Sequence, residues 1–326
     1  MTLPLEGVRI LTVEQYGAGP FGTMWLADQG AEVIKIEQPG TGDFARALGP
    51  YWFDNGDSQW FHAYNRNKKS LTLDLESGED RKVLLDLVAS ADALTSNLQG
   101  DVPEKLGLTY AHLKSANAKI VCAHLSAYGR DGPRASWPGF DYLMQAEAGY
   151  FSLTGDPAGE PARFGLSVVD QMTGVGLAYA ALSGIIGARA TGKGGDLDIS
   201  LFDVALSNLG YPAMWYLNNG YVQKRMARSA HPSLTPCQLY KTSDGWIYLM
   251  CNKEKFWPAL CHALGHPEWA DDPRFETFKE RFEERPIIQD MLDRALSAKT
   301  TAEWLLDFAG AVPATDLGSL SPNRSR

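Results

Sequence analysis

A doubly wound parallel α/β sheet followed by a second, smaller α+β domain is the fold class this sequence predicts, and three observations predict it. An apolar stretch at residues 8–13 leads through a glycine-rich turn at 17–22 and a helical pattern at 23–29, closed by Gly30, into a second apolar stretch at 31–37. That is a βαβ unit, the seed of a parallel sheet. Strand and helix patterns keep alternating as far as residue 126, the rhythm of a sheet covered on both faces. From about residue 220 the rhythm stops and Trp and His become more frequent, so a separate unit begins there.

Taken in order, residues 70–75 read as a strand, 79–90 as a helix, 93–97 as a strand, 110–116 as a helix and 120–126 as a strand. A loop-rich stretch after Gly139 leads to an apolar helix at 171–190, and Thr191-Gly192-Lys193-Gly194-Gly195 turns into a strand at 196–200. Residues 240–251 have the pattern of a hairpin around Ser243-Asp244-Gly245. Residues 286–298 read as a helix with Pro286 in its first turn. The expected organisation is a large domain over 1–200, a linker over 201–224, a small α+β domain over 225–316 and a disordered tail over 317–326.

Bulk properties exclude several classes. A length of 326 residues suits one large domain and a smaller one. The formal net charge of -9, without any Lys/Arg-rich run, argues against a nucleic-acid surface. Residues 1–12 carry Glu6 and Arg9 and no apolar run of the secretory kind, which makes the cytoplasm the expected location. The uncharged stretch 171–188 has the length of a short membrane span. Its Gln171, Thr173, Ser183 and four glycines make a buried core helix the better reading. Cys122, Cys237, Cys251 and Cys261 show no C-x-x-C spacing, as expected for structural thiols in a reducing compartment. The six histidines form no metal-binding motif, so no metal site is expected.

Three constellations carry candidate chemistry. Gly17-Ala18-Gly19-Pro20-Phe21-Gly22 is a G-x-G-x-x-G between strand and helix patterns, with Glu37 ending the next strand. It reads either as a dinucleotide cradle, with Glu37 on the ribose, or as a turn that serves packing. Pro20 weighs against the first, because it removes a donor where a phosphate needs one. Arg46, Asn65-Arg66-Asn67-Lys68-Lys69, Asn97 and Lys105 follow successive strands. They either converge at the carboxyl edge of the sheet on a nucleotide's phosphates or remain solvated surface charge. Asp170 opens the long apolar helix. It suits an N-cap, the stronger reading of the residues alone, and the same position also suits a carboxylate nucleophile held ionised by the helix dipole and N–H donors.

Together these pieces resemble the class III CoA-transferases, the CaiB/BaiF family that includes formyl-CoA transferase. The resemblance runs through Leu5-Glu6-Gly7-Val8-Arg9-Ile10-Leu11, Ala31-Glu32-Val33-Ile34-Lys35-Ile36-Glu37 and Asn67-Lys68-Lys69-Ser70-Leu71-Thr72-Leu73-Asp74-Leu75. It continues through Gly139-Phe140-Asp141-Tyr142, Leu153-Thr154-Gly155, Asp170 to Gly174 and Ser200-Leu201-Phe202-Asp203, covering about 95% of the chain. It implies a Rossmann-like domain that holds coenzyme A or acyl-CoA as substrate, with no tightly bound cofactor. Asp170 falls on the family's nucleophilic aspartate and Asp141 on an acidic position beside it. Gly17 and Ala18 match a loop at the CoA thiol end, Gly139 and Phe140 a segment lining CoA, and Leu73, Asp74, Leu75, Asn97 and Leu98 segments around the adenosine. Lys105 stands where the family usually has an arginine near the phosphates.

The resemblance further implies an interlocked homodimer and partners limited to acyl-CoA and small carboxylic acids, without nucleic acid or membrane. It places the end of the family pattern near Asp316, so that a returning C-terminal segment is expected to be missing. Phe140 stands where the α-methylacyl-CoA racemases carry histidine, which favours a transferase over a racemase-like epimerase; a non-catalytic CoA-binding homologue is the further alternative, suggested by the C-terminus. The acyl group is not written in the motifs; a short dicarboxylic acid such as succinate or mesaconate is the expectation.

Overall fold

The computed structural model describes residues 2–317. Six strands build the main sheet: β1 (Arg9–Val13), β2 (Glu32–Glu37), β3 (Lys69–Thr72), β4 (Ala93–Ser96), β5 (Val121–Ser126) and β6 (Gly195–Ser200). All pairs are parallel, in the order β3-β2-β1-β4-β5-β6. Strands β4 and β5 are buried at every position, and they carry no Asp, Glu, Lys or Arg; their buried polar residues Thr95, Ser96 and His124 are hydrogen-bonded to one another or to Thr12 and Asp196. Side chains alternate between faces. Ile10 packs with Leu26, Val33 and Ile185, whereas its neighbour Leu11 packs with Ile36, Leu84, Val88 and Leu108.

The longer helices of this part are α1 (Ala18–Asp28), α2 (Gln59–Asn65), α3 (Gly78–Val88), α4 (Asp141–Glu147), α5 (Val168–Thr191), α6 (Leu201–Ser207) and α7 (Tyr211–Asn219). Helix α1 starts at Ala18, so the glycines expected to make a turn lie in its first turns, where Pro20 is tolerated. Strand β3 ends at Thr72, three residues before the expected boundary, and the helix expected over 110–116 is one turn, Tyr110–Leu113. Helix α4 occupies part of the stretch read as loop. Helix α5 is long and apolar enough to cross a membrane, and it packs against α1, β5 and β6.

Strand order reverses between β1 and β4, so the connections leaving these two strands diverge and open a crevice at their carboxyl ends. This geometry positions the site described below.

The chain divides into two compact units, one of Met1–Phe151 with Arg163–Tyr221 and one of Ser152–Ala162 with Val222–Arg326. In the second unit, β7 (Cys237–Lys241) and β8 (Trp246–Met250) form the hairpin, and β9 (Ala314–Asp316) pairs antiparallel with β8. Helices α8 (Phe256–Ala263), α9 (Arg285–Leu296) and α10 (Thr301–Asp307) bury Trp257, Ile288, Leu292 and Trp304 with Tyr240 and Ile247 of that sheet. Residues 318–326, most of the expected tail, lie outside the described residues.

Candidate active site

Three glycines bring the end of β1, the start of α1 and the start of α5 together. A Cβ on Gly17 would stand 2.5 Å from Oδ2 of Asp170, one on Gly19 2.8 Å from the Asn97 amide carbon, and one on Gly22 2.2 Å from the carbonyl oxygen of Gly174. On the facing helix, a Cβ on Gly174 would stand 2.4 Å from the Ala18 carbonyl oxygen. The glycine motif therefore lets two helices approach backbone to backbone and lets Asp170 lie against the chain at Gly17. It serves the packing reading. Glu37, the supposed ribose ligand, instead takes two hydrogen bonds from Arg46, at 2.8 and 2.7 Å, and one from Ser70 at 2.6 Å.

Asp170 corrects the expected cap. Ser167 is the N-cap residue of α5 and Asp170 the third residue inside the helix. The N–H of Asp170 donates to Asp141 Oδ2 at 2.9 Å, and Gln145 Nε2 holds Asp141 Oδ1 at 2.6 Å. Asp141 at the start of α4 thus satisfies the orphan donors of α5, leaving the Asp170 carboxylate without a donor among the described residues. Asp170 is 8% exposed. Burial, reinforced by the Asp141 charge, pushes its carboxyl up to about 7, the reverse of the expected helix-held, strongly acidic group. Burial also raises Asp141, opposed by the N–H of Asp170 and the Gln145 amide.

The loop between β1 and α1 is anchored by a buried ion cluster. Glu14 accepts from Thr12 at 2.8 Å, from Thr23 at 2.8 and 2.9 Å and from Lys68 Nζ at 2.8 Å, and its carbonyl accepts from Lys35 Nζ at 2.9 Å. Lys35 pairs with Asp43 at 2.8 Å, and Asp43 accepts the Tyr16 N–H at 3.0 Å. Burial opposes ionisation of Glu14, yet Lys68 and Lys35 together hold it below the usual carboxylate range. Lys68 is itself brought down to about 8 by burial. Tyr16 sits at φ +69°, a left-handed conformation strained for a non-glycine residue, and the Asp43 contact holds it there. Asn97 closes the loop by accepting the Gln15 N–H at 2.8 Å and donating to its carbonyl at 2.7 Å.

The basic residues expected to gather on phosphates are engaged elsewhere: Arg46 on Glu37, Arg66 on Asp28, Lys68 on Glu14 and Lys69 on Glu32. A cleft of about 770 Å³ opens at the crevice, lined among others by Gln15, Tyr16, Gly17, Ala18, Phe44, Asn97, Leu98, Ser126, Trp137, Gly139, Phe140, Asp170 and Leu201. It brings together seven residues singled out by sequence, Gly17, Ala18, Asn97, Leu98, Gly139, Phe140 and Asp170, with Asp141 directly behind. Leu73, Asp74, Leu75 and Lys105 are not in its lining. Leu73 is buried in the core and Lys105 pairs with Asp101 at 2.6 Å on the surface. Tyr16, Ser126 and Trp137 were not legible as site residues, because nothing local marks which loop side chains turn towards the crevice.

A second nucleophile arrangement is excluded by burial. Ser96 Oγ lies 2.8 Å from His124 Nδ1, and His124 Nε2 lies 3.2 Å from Asp196 Oδ1, but Ser96 is 0% exposed within the sheet. Among the described residues no group of three or more His, Cys, Asp or Glu side chains is arranged to hold a metal ion.

Comparison with known proteins gives consistent matches. The model of CoA-transferase family III matches residues 5–322, so the family pattern continues past Asp316, where the sequence reading ended it. The chain is 35% identical over 303 residues to the acetyl-CoA:oxalate CoA-transferase of Acetobacter aceti, covering 93% of this chain and 77% of that protein. It is 34% identical over 328 residues to the succinate–glutarate CoA-transferase of Agrobacterium fabrum, covering 97% and 80%. The crystal structure of a CaiB/BaiF family protein from Brucella suis superposes with a TM-score of 0.83 at 34% identity, covering 98% of this chain and 85% of that one.

Proposed function

The chain belongs to CoA-transferase family III and moves CoA between an acyl-CoA and a carboxylic acid, and we propose that Asp170 carries this transfer as a covalent nucleophile. The observation that supports this is a carboxylate without hydrogen-bond donors, in contact with Gly17, at the wall of the cleft. The carboxylate attacks the thioester carbon of the donor, giving a mixed anhydride and CoA thiolate. The thiolate attacks the aspartyl carbonyl, forming an aspartyl-CoA thioester and releasing the donor acid. The acceptor carboxylate attacks that thioester to regenerate an anhydride and free thiolate. Attack of the thiolate on the new acyl carbon then yields product and free Asp170.

Asp141 positions the nucleophile by holding its backbone N–H. The N–H groups of Ala18 and Gly19 open α1 without helical acceptors and would stabilise the oxyanions, an effect worth roughly 3–4 kcal/mol per donor. The pantetheine arm would lie along Asn97, Leu98, Gly139 and Phe140. The adenosine end would lie further along the same sheet edge, by Leu73, Asp74, Leu75 and Lys105. The similarity to oxalate and glutarate transferases supports a short dicarboxylic acid as substrate.

We also read the protein as a cytoplasmic homodimer. Four free buried cysteines support a reducing compartment. Exposed Tyr179 and Ile186 on α5 and Tyr211, Met214 and Leu217 on α7 support a partner surface, and light scattering tests it. Trapping the aspartyl adduct with hydroxylamine and locating it by mass spectrometry tests the mechanism. An adduct on Asp170 is expected, and exchange without any adduct there would overturn the assignment.

A further inference from the structure

Gln145 lies on α4 one turn after Asp141, fully buried, and its side-chain amide meets two backbone groups whose hydrogen-bonding sense is fixed. Its Oε1 accepts the Phe164 N–H at 2.9 Å, and its Nε2 donates to the Leu166 carbonyl at 3.1 Å. A backbone N–H can only donate and a carbonyl can only accept, so these two contacts decide which end of the amide is oxygen and which is nitrogen. The nitrogen therefore also faces Asp141, whose Oδ1 lies 2.6 Å away.

That orientation decides what the neighbouring carboxyl can be. Nε2 brings a hydrogen to Asp141 Oδ1, and the Asp170 N–H brings one to Oδ2 at 2.9 Å. Protonating either oxygen would weaken it as an acceptor and crowd a hydrogen against a donor, so the contacts favour the charged form. Asp170 is surrounded the other way. Burial raises both carboxyls; in Asp141 the Asp170 N–H, the Gln145 amide, the Val169 N–H and the Arg163 charge oppose the rise, whereas in Asp170 the Asp141 charge adds to it. Tyr64, Tyr150 and Arg163 face Asp141, and Tyr16 and Tyr64 face Asp170. Burial first raises all three phenols, so no group facing the pair, other than its own members, changes charge near neutral pH.

We propose that Gln145 is a positioning residue for the transfer: by committing Asp141 to accepting, it keeps Asp141 as the fixed anion of the pair and leaves Asp170 as the member that takes up and releases the proton. The catalytic consequence rests on the reading of Asp170 as the nucleophile. A standing negative charge beside Asp170 repels its free carboxylate, and that repulsion is relieved when the carboxylate becomes a neutral anhydride.

The test reads the order of protonation directly in the ligand-free protein. With ¹³C in the aspartate carboxyls, the NMR signals lost in Asp170→Asn and in Asp141→Asn identify the pair. Asp141 is expected to titrate at lower pH than Asp170. In Gln145→Met, which is similar in size but lacks the amide, the midpoints of the two signals should draw together by about one pH unit or more. Gln145→Glu keeps an oxygen for the Phe164 N–H and loses the donor to Asp141 when ionised, so it should narrow the gap as well. In turnover, Gln145→Met is expected to lower kcat by about ten-fold or more while KM for acyl-CoA changes by less than about three-fold. A side chain that merely held the fold would leave the order of titration in place. Asp141 titrating at or above Asp170 in the unsubstituted protein would overturn the proposal whether or not the Gln145 variants fold. An unchanged gap or an unchanged kcat in folded Gln145→Met would overturn it too. Those results would leave the transferase reading intact, since it is judged separately by adduct formation on Asp170.

Discussion

Glu14 and Asp170 are two buried carboxylates on either side of the same loop, and their surroundings drive them in opposite directions. Glu14 collects two hydroxyl donors and two ammonium groups and is held below the ordinary carboxylate range. Among the described residues Asp170 has no donor but a second carboxylate behind it, and it is pushed up to about 7. Burial is common to both, so burial does not decide the charge state; the inventory of partners does. The first carboxylate is a fixed anchor for the loop. The second is poorly solvated and holds its proton more tightly than an ordinary carboxyl, which in the proposed mechanism makes it, once ionised, a reactive nucleophile.

Several experiments sharpen or break this contrast. The largest effect is expected from Asp170→Ala, which should lower exchange by about 10⁴-fold or more while CoA still binds by calorimetry; retained turnover would reduce Asp170 to a structural role. Glu14→Gln leaves Lys68 without its anion, while Lys35 keeps Asp43, and should cost roughly 3–5 kcal/mol in urea denaturation. A negligible cost would mean that the anchor is misassigned. Removing the unfavourable carboxylate by Asp170→Asn should stabilise the ligand-free protein at pH 8 by roughly 2–4 kcal/mol. The sign follows from the raised carboxyl: the folded state keeps the proton between the ordinary carboxylate range and about 7, so the native protein loses stability as pH rises through that window. Asn at 170 should flatten this dependence in melts recorded from pH 4 to 8.

The same ionisation should appear in catalysis. As the proposed nucleophile, Asp170 must be charged, so kcat/KM should climb by nearly ten-fold per pH unit below about 7 and level off above it. A flat profile from pH 5 to 8 would contradict the raised carboxyl. Lys105→Ala should act least, raising KM for acyl-CoA by about three- to five-fold with little change in kcat, as expected for one exposed cation near a phosphate.

The parallel sheet was legible because strands covered on both faces exclude free charge and alternate with helical patterns, and β1, β4 and β5 each show short, largely apolar runs. That Asp170 lies at the cleft was legible from its place at the mouth of an apolar helix and from the motifs around it. What escaped depends on residues far apart in the chain. The Glu14–Lys68 pair joins residues 54 positions apart, so Lys68 read as one of a basic run free for phosphate. Asp170 looked capped because its competitor for the helix donors, Asp141, sits 29 residues earlier on another helix. The left-handed Tyr16 has no local signature, since its conformation is imposed by Asp43 and Asn97.

The crossing of α1 and α5 has a consequence for how this scaffold changes over time. Where Gly22 meets Gly174 no side chain stands between the helices, so the spacing between the backbones that carry Gly17 and Asp170 is dictated by peptide dimensions, which side-chain exchange cannot alter. Rings of the cleft lining such as Tyr16 and Phe140 can then be exchanged, by evolution or at the bench, without shifting the backbone that carries Asp170.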